Sequence, residues 1–206
     1  MKVLLFNGSP HAAGCTYTAL TEVARTLEAK GIETEIFQVG AKPVGGCSGC
    51  GGCKQSGRCV WDDVVNEALD KLESADGYIF GSPVHYASPS GNIIGFMDRL
   101  FYAGKSKMEF KPGAVVVSAR RAGTSAALDV LTKYLTISNM PVVSGNYWNM
   151  VHGQSPEDVK KDEEGLQTMR AVGNNMAWLL QCIDAGAKQG IGRPAAEGKI
   201  MTNFVR

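Results

Sequence analysis

The sequence has 206 residues, a length that suits one compact α/β domain followed by a short tail. Its net charge of +1 offers little to a polyanion, which argues against a nucleic-acid partner. No apolar stretch approaches the roughly 20 residues of a membrane helix, and the apolar start at residues 3–6 is too short for a signal peptide. We therefore expect a cytoplasmic protein without a membrane partner.

Short β-branched runs alternate with helical patterns, which predicts an α/β fold with a parallel sheet covered on both faces. The five predicted strands are residues 3–6, 33–39, 77–81, 114–117 and 142–143. A last helix is predicted to open at Ser155, with Pro156 at its first position, and to continue to Ile183. Residues 1–184 are predicted to form one domain, and residues 185–206 a tail that packs on the domain or on a partner subunit.

A loop from Gly8 to Thr16 joins the first strand to the first helix. Ligands of open parallel sheets bind at the carboxyl ends of strands, where a helix N-terminus offers free N–H groups to a phosphate. Ser9 and Thr16 add hydroxyl donors. Because the loop has neither a P-loop lysine nor the Gly-x-Gly-x-x-Gly fingerprint, it suits a single monoester phosphate, as in FMN. A plain strand-to-helix turn remains the alternative.

The same loop resembles that of NADPH-dependent FMN reductases and iron–sulfur flavoproteins, which read Gly-Ser-Pro-Arg and then Gly-Asn-Thr. In this chain His11 replaces the arginine and Cys15 the asparagine. The resemblance covers nearly the whole chain and implies a flavodoxin-like three-layer sandwich with strand order 2-1-3-4-5. The residues that it implies for the phosphate side of FMN are Ser9, His11, Gly14, Cys15 and Thr16.

Two further loops follow the third and fourth predicted strands and should lie at the same edge of the sheet. The first is similar to the family segment Ser-Pro-Val-Tyr, which runs along the isoalloxazine ring, although His85 stands here in place of the tyrosine. The second matches the loop that wraps the pyrimidine end of the flavin. The contacts that the resemblance implies are Pro83, Val84, His85 and Tyr86 in the first loop and Ser118, Ala119, Arg120 and Gly123 in the second.

Four cysteines, Cys47, Cys50, Cys53 and Cys59, lie within the loop formed by residues 43–60. Four thiolates this close are able to ligate one cubane cluster, and the spacing resembles the [4Fe-4S] motif of the iron–sulfur flavoproteins. Zinc is an alternative metal for a set of four sulfur ligands. A loop without metal, which contacts a partner subunit or a substrate, is the third alternative. Cys182, on the last predicted helix, is expected to be a buried apolar residue.

The resemblance implies an oxidoreductase in which NAD(P)H delivers a hydride to FMN and electrons pass to a small-molecule or electron-carrier acceptor. It also implies a homodimer or homotetramer. No catalytic side chain is predicted, because the chemistry would be centred on the flavin. Two other classes remain open from the sequence, namely an electron carrier without turnover of its own and a zinc-stapled binding scaffold.

Overall fold

The computed structural model describes residues 1–195, 197–198 and 200–202. Its elements follow one another as β1 (Lys2–Asn7), α1 (Cys15–Glu28), β2 (Glu33–Gln38), α2 (Cys53–Ser56), α3 (Val64–Lys71), a 3-10 turn (Leu72–Ser74), β3 (Gly77–His85), β4 (Ser88–Pro89), α4 (Gly91–Met108), β5 (Gly113–Ala119), α5 (Thr124–Thr136), β6 (Met150–His152), α6 (Pro156–Val159) and α7 (Glu163–Lys188). Among the described residues, no helix combines the length and the apolarity that a membrane span requires.

Five parallel strands form the sheet in the order β2-β1-β3-β5-β6, and β4 adds a short antiparallel pair to β3. Apart from β4, this is the predicted strand order. Alternate residues of β1 enter two separate cores, with Leu4 and Phe6 on the face covered by α3, α4 and α5. Val3 and Leu5 lie on the face covered by α1 and α7. The sheet is therefore buried on both faces, as its continuous apolar strands predict.

The fifth parallel strand lies further along the chain than predicted. Val142 makes only an isolated bridge to Gly113, and the paired strand is Met150–His152. The buried Asn149 holds the intervening loop, because its side-chain oxygen accepts from the Gly145 N–H (2.8 Å) and its amide donates to the Val143 carbonyl (3.3 Å). Val142 and Val143, which follow Pro141, therefore predicted the fifth strand in the wrong place.

The predicted last helix is divided into two helices. Ser155 caps the short α6 as expected, since its hydroxyl accepts from the Asp158 N–H. Asp162 then begins a new helix by accepting from the Gly165 N–H at 2.9 Å. Helix α7 continues to Lys188 and includes the first four residues of the predicted tail. The prediction for Cys182 was wrong, because this residue is exposed on α7.

The domain boundary at residue 184 and the packing of the tail stay predictions. Tail residues 196, 199 and 203–206 lie outside the described residues.

Candidate functional site

The carboxyl ends of β1, β3, β5 and β6 converge on one cavity of about 200 Å³. It brings together residues from all three loops that the sequence selected, together with two that follow β6. Its lining residues are Ser9, His11, Cys15, Thr16, Pro83, Val84, His85, Ser118, Ala119, Arg120, Gly153 and Gln154. We call this space the strand-end cavity.

Three of the predicted contacts do not line the strand-end cavity. Gly14 is the N-cap of α1, and Gly123 has a φ of +88° and lies so close to the β3–β4 turn that a side-chain carbon there would be 2.6 Å from Ala87 Cα. Tyr86 is at the tip of the β3–β4 hairpin, where its side chain is fully exposed and its φ is +51°. Within this chain, Tyr86 therefore does not contribute to the wall of the strand-end cavity.

The loop after β1 is held by close backbone contacts. The Gly8 N–H donates to the Gly81 carbonyl at 2.8 Å, and the Gly8 carbonyl accepts from the Ser90 hydroxyl at 2.9 Å. A side-chain carbon at Gly8 would lie only 2.6 Å from Ile93 Cβ and 2.8 Å from the Gly81 oxygen. Glycine is therefore required here for the loop to lie against β3 and α4.

The N-terminus of α1 opens towards the strand-end cavity with its N–H groups available to a ligand. Gly14 caps the helix with its backbone alone, so the first-turn N–H groups have no intrahelical partner. The Thr16 and Ser118 hydroxyls are both buried and lie 2.8 Å apart, which joins α1 to the end of β5. The Ser9 hydroxyl accepts from the His11 N–H at 3.1 Å. Backbone and hydroxyl donors of this kind suit an anionic oxygen ligand.

Cys15 occupies the first position of α1 beside these donors. Its thiol contacts the Gly153 carbonyl at 3.7 Å, and burial raises its pKa. A raised thiol pKa favours the neutral form, so Cys15 adds no negative charge to the helix N-terminus near neutral pH. The replacement of the family's asparagine thus removes a donor from this loop without adding a competing anion.

Gly153 and Gln154 also line the strand-end cavity, although neither is among the contacts predicted from the sequence. The Gly153 N–H donates to the Ala119 carbonyl at 3.0 Å, which continues the pairing of β6 with β5 beyond His152. The sequence predicted the fifth strand at residues 142–143, whereas the strand is Met150–His152. Residues that follow the true strand were therefore not predicted to lie at the carboxyl edge of the sheet. The signal in the sequence was the short apolar run just before Gly153.

The four clustered cysteines line a second cavity of about 270 Å³, which we call the cysteine cavity. Trp61, Arg99 and Tyr102 also contribute to its wall. In the described part of the chain, it has no lining residue in common with the strand-end cavity. The tight course of the cysteine loop uses left-handed backbone at Gly49, Gly51 and Gly57, with φ between +66° and +74°. These positions favour glycine, which adopts this conformation without strain.

The donor set of the cysteine cavity fits an iron–sulfur cluster. Its thiols are the ligands that such clusters prefer, and N–H groups approach two of the sulfurs. The Gly49 N–H donates to Cys47 at 3.4 Å, and Arg99 Nε–H donates to Cys59 at 3.1 Å. Within the described residues, no three His, Cys, Asp or Glu side chains are grouped closely enough for a single metal ion.

Cys50 and Cys15 are expected to react with iodoacetamide at very different rates in protein prepared without flavin or iron. The Gly52 N–H, and after it the Ser48 hydroxyl, lower the pKa of Cys50, whereas burial raises that of Cys15. Near neutral pH the thiolate fraction is thus larger at Cys50, and we expect it to react at least about tenfold faster. Timed alkylation with peptide mass spectrometry measures both rates, and urea-unfolded protein is the control. Equal rates in the folded protein would contradict the opposite pKa shifts of the two thiols.

Comparison with solved structures defines the class of fold. The chain superposes on an archaeal flavodoxin with a TM-score of 0.60 and 16% identity, covering 88% of this chain and 99% of that one. It also superposes on RosB, solved with 8-demethyl-8-formylriboflavin-5′-phosphate, with a TM-score of 0.70 and 14% identity, covering 100% and 94%. The fold is therefore that of the flavodoxin-like proteins, as predicted.

The sequence comparisons show the family. The sequence model of the NADPH-dependent FMN reductase family matches residues 1–155 of this chain. An iron–sulfur flavoprotein of Methanocaldococcus jannaschii is 34% identical over 191 residues, which cover 89% of this chain and 99% of that protein. The chain belongs to the NADPH-dependent FMN reductase family, and it is an FMN-dependent oxidoreductase. The predicted family is confirmed.

Proposed function

We propose that this chain holds FMN in the strand-end cavity and uses NAD(P)H as its electron donor. Electrons would then pass to an acceptor through a [4Fe-4S] cluster. The proposed ligands of the cluster are Cys47, Cys50, Cys53 and Cys59. When bound, FMN supplies hydride acceptance and the cluster supplies one-electron exchange. The observation that carries the proposal is the convergence of four strand ends and one open helix N-terminus on a single cavity. The cavity formed around all four clustered cysteines supports the cluster.

In this proposal the phosphate of FMN lies at the N-terminus of α1. The free N–H groups of the first turn would donate to it, assisted by the hydroxyls of Ser9 and Thr16. His11 and Cys15 line the same cavity but replace the usual donors of the family. The backbone and the two hydroxyls would therefore provide most of the phosphate binding.

The loop after β5 would hold the pyrimidine end of the flavin ring. Ser118, Ala119 and Arg120 line the cavity there, and Gly123 begins α5 with its backbone alone as the cap. A helix N-terminus and a guanidinium both favour negative charge nearby. This loop would therefore stabilise negative charge on the reduced form of a bound flavin and so favour its reduction.

The predicted homodimer or homotetramer is part of the proposal. In the part of the chain that the structure describes, five large aromatic side chains are more than half exposed, namely Tyr86, Tyr102, Tyr147, Trp148 and Trp178. Tyr147 and Trp148 are neighbours, with ring centroids 5.0 Å apart, and aromatic side chains are enriched in the surfaces through which proteins associate. Tyr86, at the tip of a hairpin next to the strand-end cavity, is well placed to contact a partner subunit.

The proposal is tested on anaerobically purified protein. We expect flavin absorption together with a broad visible shoulder that bleaches on reduction, and iron and sulfide at about four each per chain. Stopped-flow mixing with NADPH and with NADH should bleach the flavin with at least one of them. Flavin that bleaches with dithionite but with neither nucleotide would indicate an electron carrier, and zinc in place of iron would indicate a structural metal. Protein that binds no FMN would overturn the proposal.

Thr16→Ala is expected to weaken FMN binding by about ten- to a hundredfold, the usual effect of losing one hydrogen bond to a charged group. Riboflavin, which lacks the phosphate, should bind the variant and the wild type equally. Thr18→Ala is the matched control, because the Thr18 hydroxyl bonds to the Gly14 carbonyl of its own helix. Flavin fluorescence titration measures the affinities of the three proteins for FMN and for riboflavin. An equal loss for FMN and riboflavin would show that Thr16 does not act on the phosphate.

A further inference from the structure

Arg99 is a buried cation beneath the cysteine loop. It lies on α4, and only 1% of its side chain is exposed. Its Nη groups donate to both carboxylate oxygens of Asp63, at 2.7 and 2.8 Å, and its Nε–H donates to Cys59 Sγ at 3.1 Å. The remaining contacts go to the carbonyls of Gly45 (3.4 Å) and Trp61 (3.2 Å). Every N–H of the guanidinium therefore has an acceptor.

These acceptors come from both ends of the cysteine loop. Gly45 precedes the first cysteine of the loop, while Cys59, Trp61 and Asp63 are at its end. The Trp61 ring covers the guanidinium, with its centroid 4.8 Å from the Arg99 Cζ. Helix α4 itself approaches the loop closely, because a side-chain carbon at Gly95 would lie 2.6 Å from the Val44 carbonyl oxygen. A rigid helix thus anchors the loop through one arginine.

Cys59 is also held from its other side. The Asn66 side chain, which is buried on α3, accepts from the Cys59 N–H at 2.9 Å and donates to the Cys59 carbonyl at 3.0 Å. The Cys59 backbone is thereby fixed, and the hydrogen bond from Arg99 fixes the direction of its sulfur. Among the described residues, Cys59 is the clustered cysteine whose sulfur accepts a hydrogen bond from a charged side chain.

We propose that Arg99 is a positioning residue for the cluster, which holds the Cys59 sulfur in place and raises the reduction potential through the Nε–H···S hydrogen bond. This role rests on the proposed function. Reduction adds a negative charge to a cluster, and N–H donors at its sulfurs stabilise that charge. Burial keeps the guanidinium unscreened by solvent. The carboxylate of Asp63 opposes the effect by partly neutralising the same cation.

Two substitutions that should shift the reduction potential in opposite directions test this role in protein that contains the cluster. Arg99→Lys keeps the charge but loses the Nε–H donor, so the midpoint potential should shift to a more negative value. Asp63→Asn keeps a capping oxygen for α3 and one acceptor for Arg99 while removing the counter-charge of the guanidinium, so the potential should shift to a more positive value. A redox titration followed by electron paramagnetic resonance measures both shifts.

Arg58→Gln is the matched control, because Arg58 is in the same loop but is half exposed and paired with Asp70. It should leave the potential and the iron content unchanged. An unshifted potential in Arg99→Lys, or shifts of the same sign in Arg99→Lys and Asp63→Asn, would show a purely structural residue. If Arg99→Lys retains no iron, the Asp63→Asn shift decides alone, and any result other than a positive shift overturns the role.

The failure of this role is distinguishable from that of the proposed function. Wild-type protein without iron and sulfide after anaerobic reconstitution would overturn the cluster, and Arg99's role with it. A wild type loaded with four irons whose potential is insensitive to both substitutions would overturn the role of Arg99 alone.

Discussion

Cys53→Ser is expected to abolish the iron and sulfide content of the protein while leaving FMN bound. Cys53 opens the short helix α2 and lines the cysteine cavity with the other three clustered cysteines. A serine hydroxyl is a poor ligand for the iron of such a cluster, so removing one thiolate should reduce iron from about four per chain to well below one. Colorimetric iron and sulfide assays measure the loss. FMN stays because the strand-end cavity has a separate set of lining residues in the described chain.

Cys182→Ser is the control for this experiment. Cys182 is exposed on α7, outside the cysteine loop, and its replacement should leave iron, sulfide and flavin unchanged. Iron retained in Cys53→Ser would remove this residue from the ligand set. A wild type that contains zinc, or no metal, would instead favour one of the alternatives that the sequence left open for this loop.

Gly8→Ala is expected to weaken FMN binding by at least about tenfold and to destabilise the protein by about 1–3 kcal/mol. The added methyl group would lie 2.6 Å from Ile93 Cβ and 2.8 Å from the Gly81 carbonyl oxygen. Neither neighbour moves easily, because one belongs to the backbone of β3 and the other is a buried residue of α4. The loop must then shift away from the end of β1, and the phosphate donors of α1 shift with it.

Gly91→Ala is the matched control for Gly8→Ala. A side-chain carbon at Gly91 meets nothing within 4 Å, so this variant should bind FMN and unfold as the wild type does. Flavin titration and urea unfolding of the apoprotein separate the two effects. Wild-type FMN affinity in Gly8→Ala would show that the cavity does not depend on the position of this loop.

The sheet and the loops at its carboxyl edge were largely predictable from the sequence. Apolar strands such as Val3–Phe6 and Ala114–Val117 have few alternatives once they must be buried on both faces. The loops that follow β1, β3 and β5 then meet at one edge because parallel strands share their direction. The order of the parallel strands was correct for the same reason.

The fifth strand and the last helix were not predictable by pattern alone. Val142 and Val143 have the composition of a strand, but the side chain of Asn149 closes a loop there and moves the pairing to Met150–His152. Asp162 likewise ends the pattern that starts at Ser155, because its carboxylate binds the N–H groups of Gly165 and His152. These contacts depend on neighbours brought together by folding, which hydrophobic periodicity does not record.

The sequence by itself determined the fold class, the candidate ligand loop from Gly8 to Thr16 and the set of four cysteines, since local residue types and spacings specify each of them. The tertiary structure decided which side chains share a cavity. Folding leaves the Tyr86 side chain exposed to solvent and adds Gly153 and Gln154 to the strand-end cavity. It also places Arg99 against the sulfur of Cys59. Arg99 and Cys59 are 40 positions apart, and only the packing of α4 beneath the loop brings a guanidinium and a thiol into hydrogen-bond distance.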